Sequence, residues 1–334
     1  MENPICTTGL ALNTLKPPFD NKDVRWALTL AIDIVSYSIT AYDGAVEVSA
    51  IPCTPKPLYN EYYYEPMQEW LKDFTLDLGN GETFKPYDPD VPNKLAEHAK
   101  LRGHEVTTDL KETFGYGWWK YAPFAAAKLL EKNGFTQDKD GKWLLPDGTP
   151  WKITITTIPH LTTPQYRNAV AAEREWKKFG IDVEVMAAEV AGSIMQRGEY
   201  EVGTDWPCRE PLGGHPDLFM VFDSWNSAYL EPVLGEPHYG QTSRWTDPRM
   251  DEIITKLKEA RWDDTDRIAE LGIEGLKLAT EEMTSIWTFA YAHVIVWDTY
   301  YWTNWPGAEN PYSIPHLHWG TGKYMLTHLK PTGR

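Results

Sequence analysis

The sequence predicts an α/β fold with a mixed sheet flanked by helices. Between residues 151 and 206, segments that alternate in period two are separated by segments of helical period, in the order β-α-β-α-β. This order favours parallel strands, because a helix that connects two strands returns the chain to the same end of the sheet. Two consecutive helices, at 247–261 and 264–283, then lead into an apolar strand at 285–298. The length of 334 residues allows one large domain or two of ordinary size.

The first elements are a short strand and a helix. Residues 9–14 (GLALNT) predict the strand, and Pro17 and Pro18 end it because proline cannot continue a hydrogen-bonded ladder. Asp20 or Asn21 can cap the helix that follows. Its apolar face is predicted from Val24, Ala27, Leu28, Ala31 and Ile32.

Residues 49–120 are rich in Pro, Tyr and acidic side chains and predict extended loops, with one hairpin at Asn80–Gly81. Regular structure is predicted again from Pro123, which suits a first helical turn, to Gly134, which suits the position after the last turn. The remaining predicted elements are a hairpin with turns at Asp140–Gly141 and Asp147–Gly148, a strand at 151–158, a helix at 164–179, a strand at 181–186, a short helix at 193–197 and a strand at 200–206.

The charge argues against several classes of partner. With 48 Asp and Glu against 32 Lys and Arg, the net charge is −16, which repels nucleic acid and anionic membrane surfaces. No apolar run reaches the roughly 18 residues that a membrane-spanning helix needs. Residues 1–30 lack a basic segment followed by an apolar core, so no signal peptide is predicted in this chain.

Motifs for catalysis or cofactor binding are missing from the sequence. It contains no GxSxG, HExxH, P-loop or strand-to-helix GxGxxG. His316 and His318 are two residues apart, but no third metal ligand is close in sequence. We therefore expect no enzyme activity, no metal and no cofactor. A glycoside hydrolase stays open as an alternative, because two facing carboxylates are all that it needs.

The abundance of aromatic residues points to a ligand with flat apolar faces. The chain has 16 Trp and 18 Tyr, and Trp offers a large ring face and one N–H donor. Sugar rings suit such faces, and ligands of α/β proteins usually bind at loops that follow strands. The predicted ligand-binding residues in such loops are Trp118, Trp119, Asp205, Trp206, Arg209, Glu210, Trp225 and Asn226.

One segment carries a family resemblance. PPFDNKDVRWALTLAID, from Pro17 to Asp33, resembles the signature of family 5 of the ABC-transporter solute-binding proteins, which is the oligopeptide/nickel/oligosaccharide-binding family. Four further segments are similar to that family in the same order, and the resemblance covers residues 9 to 300. They are AAAKLLEKNGFTQDKDGKWLLPDGTPWKITI, EWKKFGIDVEV, GEYEVGTDWP and DPRMDEIITKLKEA.

The resemblance implies a periplasmic-binding-protein type lobe of the oligopeptide-binding-like group, truncated at its N-terminus. Residues 14–300 would form the second, C-terminal ligand-binding lobe, and residues 1–13 and 303–334 would be remnants of the first. The implied partners are the missing N-terminal lobe, a ligand and the membrane permease subunits of an ABC transporter. The full-length parent would be periplasmic or extracellular and membrane-associated.

The resemblance also bears on the ligand. Peptide binders of this family typically hold the ligand's amino terminus with an aspartate three residues after the Trp of DWP. Here that position is Arg209, followed by Glu210. Because arginine repels an ammonium group, we expect the branch that binds β-linked gluco-, manno- or xylo-oligosaccharides. An oligopeptide stays the alternative, because Glu210 can take the role of the aspartate.

Overall fold

The computed structural model describes residues 6–205, 215–228, 243–291, 296–307, 309–310, 312 and 321–334. These residues fall into two compact units. The larger unit contains the described residues from 6 to 291, and the smaller unit contains those from 296 to 334.

Fourteen strands are formed by the described residues. They are β1 (Cys6–Leu12), β2 (Glu47–Val48), β3 (Leu76–Gly79), β4 (Glu82–Phe84), β5 (Tyr87–Asp88), β6 (Trp118–Trp119), β7 (Thr136–Gln137), β8 (Trp143–Leu144), β9 (Lys152–Thr157), β10 (Asp182–Ala187), β11 (Val202–Asp205), β12 (Ile286–Tyr291), β13 (Trp302–Thr303) and β14 (Lys330–Pro331).

Thirteen α-helices are formed by the described residues. They are α1 (Lys22–Leu30), α2 (Ile34–Tyr42), α3 (Pro57–Tyr59), α4 (Glu65–Asp73), α5 (Val91–Leu101), α6 (Leu110–Phe114), α7 (Pro123–Lys132), α8 (Pro164–Lys178), α9 (Ala191–Gln196), α10 (Phe219–Phe222), α11 (Pro248–Glu259), α12 (Thr265–Glu281) and α13 (Thr321–Leu326). A π-helical turn (Asn60–Tyr64) joins α3 to α4, and a 3₁₀ turn (Asp223–Trp225) follows α10.

A six-stranded mixed sheet forms the centre of the larger unit, in the order β10-β9-β11-β1-β12-β2. β9 pairs in parallel with β10 and β11, whereas β1 runs antiparallel to both β11 and β12. Helix α8 packs across β9, β10, β11 and β1, and α2 packs on α8. The predicted fold class, a mixed sheet flanked by helices, is confirmed.

The β9-α8-β10 unit forms where the sequence predicts it, because its boundaries have strong local signals. The Thr163 side chain caps α8, and Pro164 occupies the first turn. Gly180 follows the helix at a φ of +97°, and a Cβ there would lie 2.4 Å from the carbonyl oxygen of Gly141. Only glycine fits this position without strain.

Two predicted segments differ from the structure. Residues 49–120, expected as extended loops apart from one hairpin, contain β3–β6 and α3–α6. The hairpin expected at Asn80–Gly81 does form, from β3 and β4. Pro57, Pro66 and Pro92 lie in first turns of α3, α4 and α5, where proline starts a helix rather than breaking it. The strand expected at 285–298 is β12, which ends at Tyr291; residues 292–295 lie outside the described part, and no strand is assigned at 296–298.

The division into lobes at residues 13/14 and 300/303 stays a prediction. The structure does place Cys6–Leu12, which the sequence-based division assigned to the other lobe, inside the sheet of the larger unit, because β1 pairs on both of its sides. In the smaller unit, β13 pairs with β14, and the rings of Trp297 and Trp305 stack 4.5 Å apart.

Arg25, in the first turns of α1, connects the turn before that helix to the turn before β12. Its side chain is 2% exposed, and its N–H groups donate to the carbonyl oxygens of Phe19, Asp20, Glu282 and Met283 at 2.6–3.1 Å. Burial lowers the pKa of Arg25 to about 10, and the Glu282 carboxylate 3.7 Å away opposes this shift. The guanidinium is therefore charged near neutral pH and holds two chain turns together.

Glu47, on the outer strand β2, is a second partly buried ionisable group. Burial raises the pKa of Glu47 to about 8 from its usual 4.5, and Glu112 adds a smaller effect in the same direction. Folding therefore favours the protonated carboxyl. This contribution to stability is complete below about pH 4.5 and is lost as the pH rises towards 8.

Replacing Arg25 tests the first of these contacts. Arg25→Met leaves four carbonyl oxygens without their charged donor, so we expect the free energy of unfolding to fall by about 3 kcal/mol. Urea unfolding followed by Trp fluorescence measures it. Arg249→Ala is the control, because Arg249 also pairs with Glu282 but is exposed, and we expect a loss of about 1 kcal/mol or less. Equal losses in the two variants would contradict the assignment.

Replacing Glu47 tests the pH dependence. Glu47→Gln removes the cost of ionising a buried carboxyl, so we expect a gain of about 2 kcal/mol over the wild type near pH 8 and little difference near pH 4. Urea unfolding at a series of pH values measures both. Glu112→Gln is the control with the smaller expected gain. A gain from Glu47→Gln that does not change with pH would contradict the prediction.

Candidate functional site

Three strands end together at one end of the sheet. Because β10, β9 and β11 are parallel neighbours, their last residues, Ala187, Thr157 and Asp205, share what we call the carboxyl end. β1 begins at the same end, with Gly9 opposite Asp205. β12 ends there, since Tyr291 is opposite Cys6. Crevices at the carboxyl ends of strands are the usual ligand sites of open α/β sheets.

One predicted site residue, Asp205, is described at this end. Asp205 is the last residue of β11, at the carboxyl end, and its role at a ligand stays a prediction. Trp206, Arg209 and Glu210 follow it in the chain and lie outside the described residues. Their contact with a ligand stays a prediction.

Buried hydroxyl groups cross the sheet next to the carboxyl end. The Thr204 hydroxyl donates to Thr157 Oγ1 at 2.7 Å, which links β11 to β9. The hydroxyls of Thr8 and Thr288, 3.3 Å apart, link β1 to β12. All four side chains are at most 4% exposed. We call Thr157, Thr204, Thr8 and Thr288 the threonine row.

The threonine row is anchored to the helices that cover the sheet. Thr288 Oγ1 lies 3.2 Å from Asn168 Oδ1 on α8, and the Tyr37 hydroxyl on α2 donates to the same oxygen at 2.6 Å. Burial raises the pKa of Tyr37 well above its usual value, so the phenol stays a donor. Strands and helices are thus cross-linked by hydrogen bonds close to the carboxyl end, which favours a fixed geometry there.

Two loops at the carboxyl end add exposed side chains that sequence reasoning missed. His160 and Leu161 follow β9, and Glu189 and Val190 follow β10. His160 Nε2 lies 3.7 Å from Glu189 Oε2, while Leu161 and Val190 are 68% and 61% exposed. The usable signal was their position directly after two predicted parallel strands. This end of the sheet therefore offers polar and apolar groups together.

Trp118 and Trp119 lie in the core rather than in an exposed loop. They form β6, paired with β5, and both side chains are at most 1% exposed. Trp118 Nε1 donates to the carbonyl oxygen of Trp287 at 2.8 Å. The Trp119 ring packs edge-on against Trp26 at 4.9 Å. The sequence-based loop position is wrong, because cross-strand pairing and ring packing bury both residues; their predicted role at the ligand is not tested by this.

Trp225 and Asn226 are also buried. The Trp225 ring packs edge-on against Trp245 at 5.9 Å, and its Nε1 has no hydrogen-bond acceptor among the described residues. Asn226 bonds within its own turn, donating to Asp223 Oδ1 at 2.8 Å. No ring contact or hydrogen bond in the described part joins Trp225 to Trp118 or Trp119. The structure therefore places the described candidates in separate environments, and their ligand role stays a prediction.

Metal and membrane criteria give the following results for the described residues. They contain no group of three or more His, Cys, Asp and Glu side chains arranged to hold a metal ion. His316 and His318 lie outside them. No single described helix has the length and apolar character needed to cross a membrane. α1 and α2 meet these two criteria only when they are counted as one segment, and the chain bends by 68° between them.

Comparison with known folds gives consistent matches. A mannohexaose-bound periplasmic oligopeptide-binding protein from Thermotoga maritima has a TM-score of 0.68 at 21% identity, covering 99% of this chain and 53% of its own. AppA from Bacillus subtilis, an oligopeptide-binding protein solved with a nonapeptide, has a TM-score of 0.57 at 16% identity, covering 86% of this chain and 45% of its own. NikA from Brucella suis, in complex with Fe(III)-EDTA, has a TM-score of 0.55 at 17% identity, covering 86% and 45%.

These likenesses show the fold, and the chain spans about half the length of the solved proteins that it matches. Among curated proteins, no significant match was found. The sequence profile of the bacterial extracellular solute-binding proteins, family 5 (middle region), matches residues 2–229, which is more than half of the chain. The resemblance carried by Pro17–Asp33 is thereby confirmed, and the chain belongs to family 5 of the bacterial extracellular solute-binding proteins.

Proposed function

We propose that this chain supplies the C-terminal ligand-binding lobe of an ABC importer's solute-binding protein and that the ligand is a β-linked oligosaccharide of glucose, mannose or xylose units. The observation that carries the ligand class is the order Asp205, Trp206, Arg209, in which Asp205 is the last residue of β11 and the other two follow it in the sequence. This order combines an aromatic ring with a positively charged hydrogen-bond donor and a negatively charged acceptor. Such a set of groups suits a neutral ligand with many hydroxyl groups.

Arg209 argues against a peptide amino terminus. A guanidinium stays charged at any physiological pH and repels an ammonium group, most strongly where water is excluded. The hydroxyls of a sugar, by contrast, accept hydrogen bonds from arginine and donate to the neighbouring carboxylates. The mannohexaose in the Thermotoga maritima protein supports this ligand class, because that protein has the same fold over nearly the whole of this chain.

The mechanism that we propose is capture without chemistry. Ligand binds between two lobes, and its higher affinity for the closed arrangement drives closure. The closed form then docks on the permease subunits outside the cell membrane, where a membrane-associated parent protein would hold it. The threonine row serves this function by keeping the carboxyl end in one geometry, so that less ordering is needed when ligand binds. No catalytic residue and no cofactor takes part.

An oligopeptide ligand is the second candidate, favoured by the nonapeptide complex of AppA and by Glu210. It requires the Glu210 carboxylate to pair with the peptide's ammonium group while Arg209 turns away. Charge reversal at position 209 separates the two candidates, because the two ligand classes respond to it in opposite directions.

Thermal unfolding in the presence of ligands tests the class of ligand. We expect mannohexaose, cellohexaose or xylohexaose to raise the melting temperature of this chain, and a mixture of short peptides to leave it unchanged. Because one lobe supplies only part of the binding walls, the affinity of this chain alone should be millimolar, measured by isothermal titration. A shift with peptides only would overturn the sugar assignment. Micromolar affinity would overturn the one-lobe assignment, and release of reducing sugar would instead indicate a glycoside hydrolase.

Substitutions in the segment after β11 test the residues. Trp206→Ala should weaken sugar binding about two- to tenfold, since stacking on one ring contributes about 0.5–1.5 kcal/mol. Arg209→Asp should weaken sugar binding and create measurable affinity for peptides with a free amino terminus. Trp262→Ala is the matched control, because Trp262 is an exposed Trp in the turn between α11 and α12. Equal effects of Trp206→Ala and Trp262→Ala would contradict a site at the carboxyl end.

A further inference from the structure

A cavity of about 580 Å³ lies away from the carboxyl end, in the same unit. Its walls come from α1, the end of α4 with the start of β3, the end of α7 and the end of α12. α1 comes after the end of β1 in the chain, and α12 comes before the start of β12. β1 ends and β12 begins at the end of the sheet that is far from Asp205 and Tyr291. A ligand at the carboxyl end would therefore not fill this cavity.

Three aromatic rings line the cavity as a continuous row. The Trp26 and Phe74 rings are 5.4 Å apart and inclined by 34°, and the Phe74 and Trp70 rings are 5.2 Å apart and inclined by 31°. Trp26 is buried and donates from Nε1 to the carbonyl oxygen of Glu281 at 3.1 Å. Trp70 and Phe74 are only half-buried. Part of this aromatic surface is thus open to a ligand while its inner member is fixed.

The position of Trp70 is also held from outside the cavity. The ammonium group of Lys277, which is not a lining residue, lies 5.7 Å from the centroid of the Trp70 ring. A cation at this distance from an aromatic ring attracts it. The ring is therefore oriented before any ligand arrives, which lowers the entropic cost of binding.

The rim of the cavity carries charges of both signs. Lys132 Nζ lies 3.1 Å from Asp23 Oδ2 and 3.3 Å from Asp77 Oδ2. Asp73, also in the lining, pairs with Lys85 at 2.8 Å. The charged lining residues are two lysines, Lys22 and Lys132, and four acids, Asp23, Asp73, Asp77 and Glu281.

These charges select the class of ligand. The excess of acids repels an anion. An organic cation would have to compete with Lys85 and Lys132 for three of the four lining carboxylates, which are already paired. A sugar needs no counter-ion: its C–H face can lie on Trp70 and Phe74, and its hydroxyls can bridge Lys132 and Asp77, which hold donors and acceptors side by side. The volume lies within the roughly 300–1,000 Å³ of small-ligand sites.

We propose that this cavity is a second saccharide site, for one or two neutral sugar rings, with Trp70 and Phe74 as the stacking surface and Lys132 and Asp77 as the polar contacts. It is independent of the site proposed at the carboxyl end. A protein with both sites would hold the same class of ligand at two ends of one sheet, and the far site would bind single rings or disaccharides only.

Saturation-transfer difference NMR and Trp fluorescence titration of the whole chain with cellobiose and mannobiose test the proposal. We expect millimolar binding that weakens at least tenfold in Trp70→Ala and in Asp77→Asn. Asp77→Asn removes a charge at an exposed position, so we expect this variant to fold even if Trp70→Ala does not. Trp262→Ala should leave the binding unchanged, whereas Trp206→Ala should remove only the part of the signal that arises at the carboxyl end.

The results of these variants distinguish binding in the cavity from binding at the carboxyl end. Weaker disaccharide binding in Trp70→Ala or Asp77→Asn, with Trp262→Ala unaffected, supports the second site, even if Trp206→Ala shows that the carboxyl end binds no disaccharide. Disaccharide binding that is lost in Trp206→Ala and unchanged in Asp77→Asn overturns it, because all of the signal then arises at the carboxyl end. Absence of binding to the wild-type chain at about 50 mM disaccharide, roughly fifty times a dissociation constant of ~1 mM, also overturns it.

Discussion

The close pairing of β1 with β12 is the constraint on which the larger unit depends. β1 is the strand that joins the parallel part of the sheet, β10-β9-β11, to the antiparallel part, β12-β2. At Gly9 the two backbones approach so closely that a Cβ would lie 2.5 Å from the carbonyl oxygen of Ile286. Any side chain at this position would push the strands apart. The register that sets Gly9 opposite Asp205 would be lost with this contact, and so would the common end on which the candidate site is built.

Side-chain bonds transmit this constraint to the helices. The Thr8–Thr288 contact crosses the same strand pair, and Thr288 reaches Asn168 on α8 and through it Tyr37 on α2. At the other end of the strands, Arg25 holds the turn before α1 against the turn before β12. Both ends of the β1–β12 pair are therefore fastened by buried polar contacts, which are costly to break singly because the remaining partner is left without a bond.

Local signals and long-range packing explain which elements could be predicted from the sequence. The β9-α8-β10 unit has a cap at Thr163, a proline in the first turn and a glycine at positive φ, and all three act within a few residues. Residues 49–120 also have local signals, such as the prolines in the first turns of α3, α4 and α5, but their packing depends on distant partners. The Tyr63 hydroxyl donates to the carbonyl oxygen of Pro216, and Trp118 Nε1 donates to that of Trp287. The two partners of each bond are so far apart in the sequence that a local pattern cannot indicate the contact. The residues after β9 and β10 were missed for the same reason, since only strand pairing brings His160 next to Glu189.

The aromatic content supports a sugar ligand less than the sequence alone indicates. Trp26, Trp118, Trp119, Trp143, Trp151, Trp176 and Trp225 are all among the largest fully buried side chains, so their abundance is explained first by core packing. Several of their indole N–H groups donate to backbone oxygens. Trp143 Nε1 donates to the carbonyl oxygen of Phe179, and Trp176 Nε1 donates to that of Leu28. What distinguishes a ligand-binding Trp is an open face next to polar groups of both signs. Trp70 is half-buried and lies among the lysines and aspartates that line the cavity, and this setting supports its proposed role. The proposal for the segment after β11 rests on the neighbours of Trp206 in the sequence rather than on the number of Trp residues.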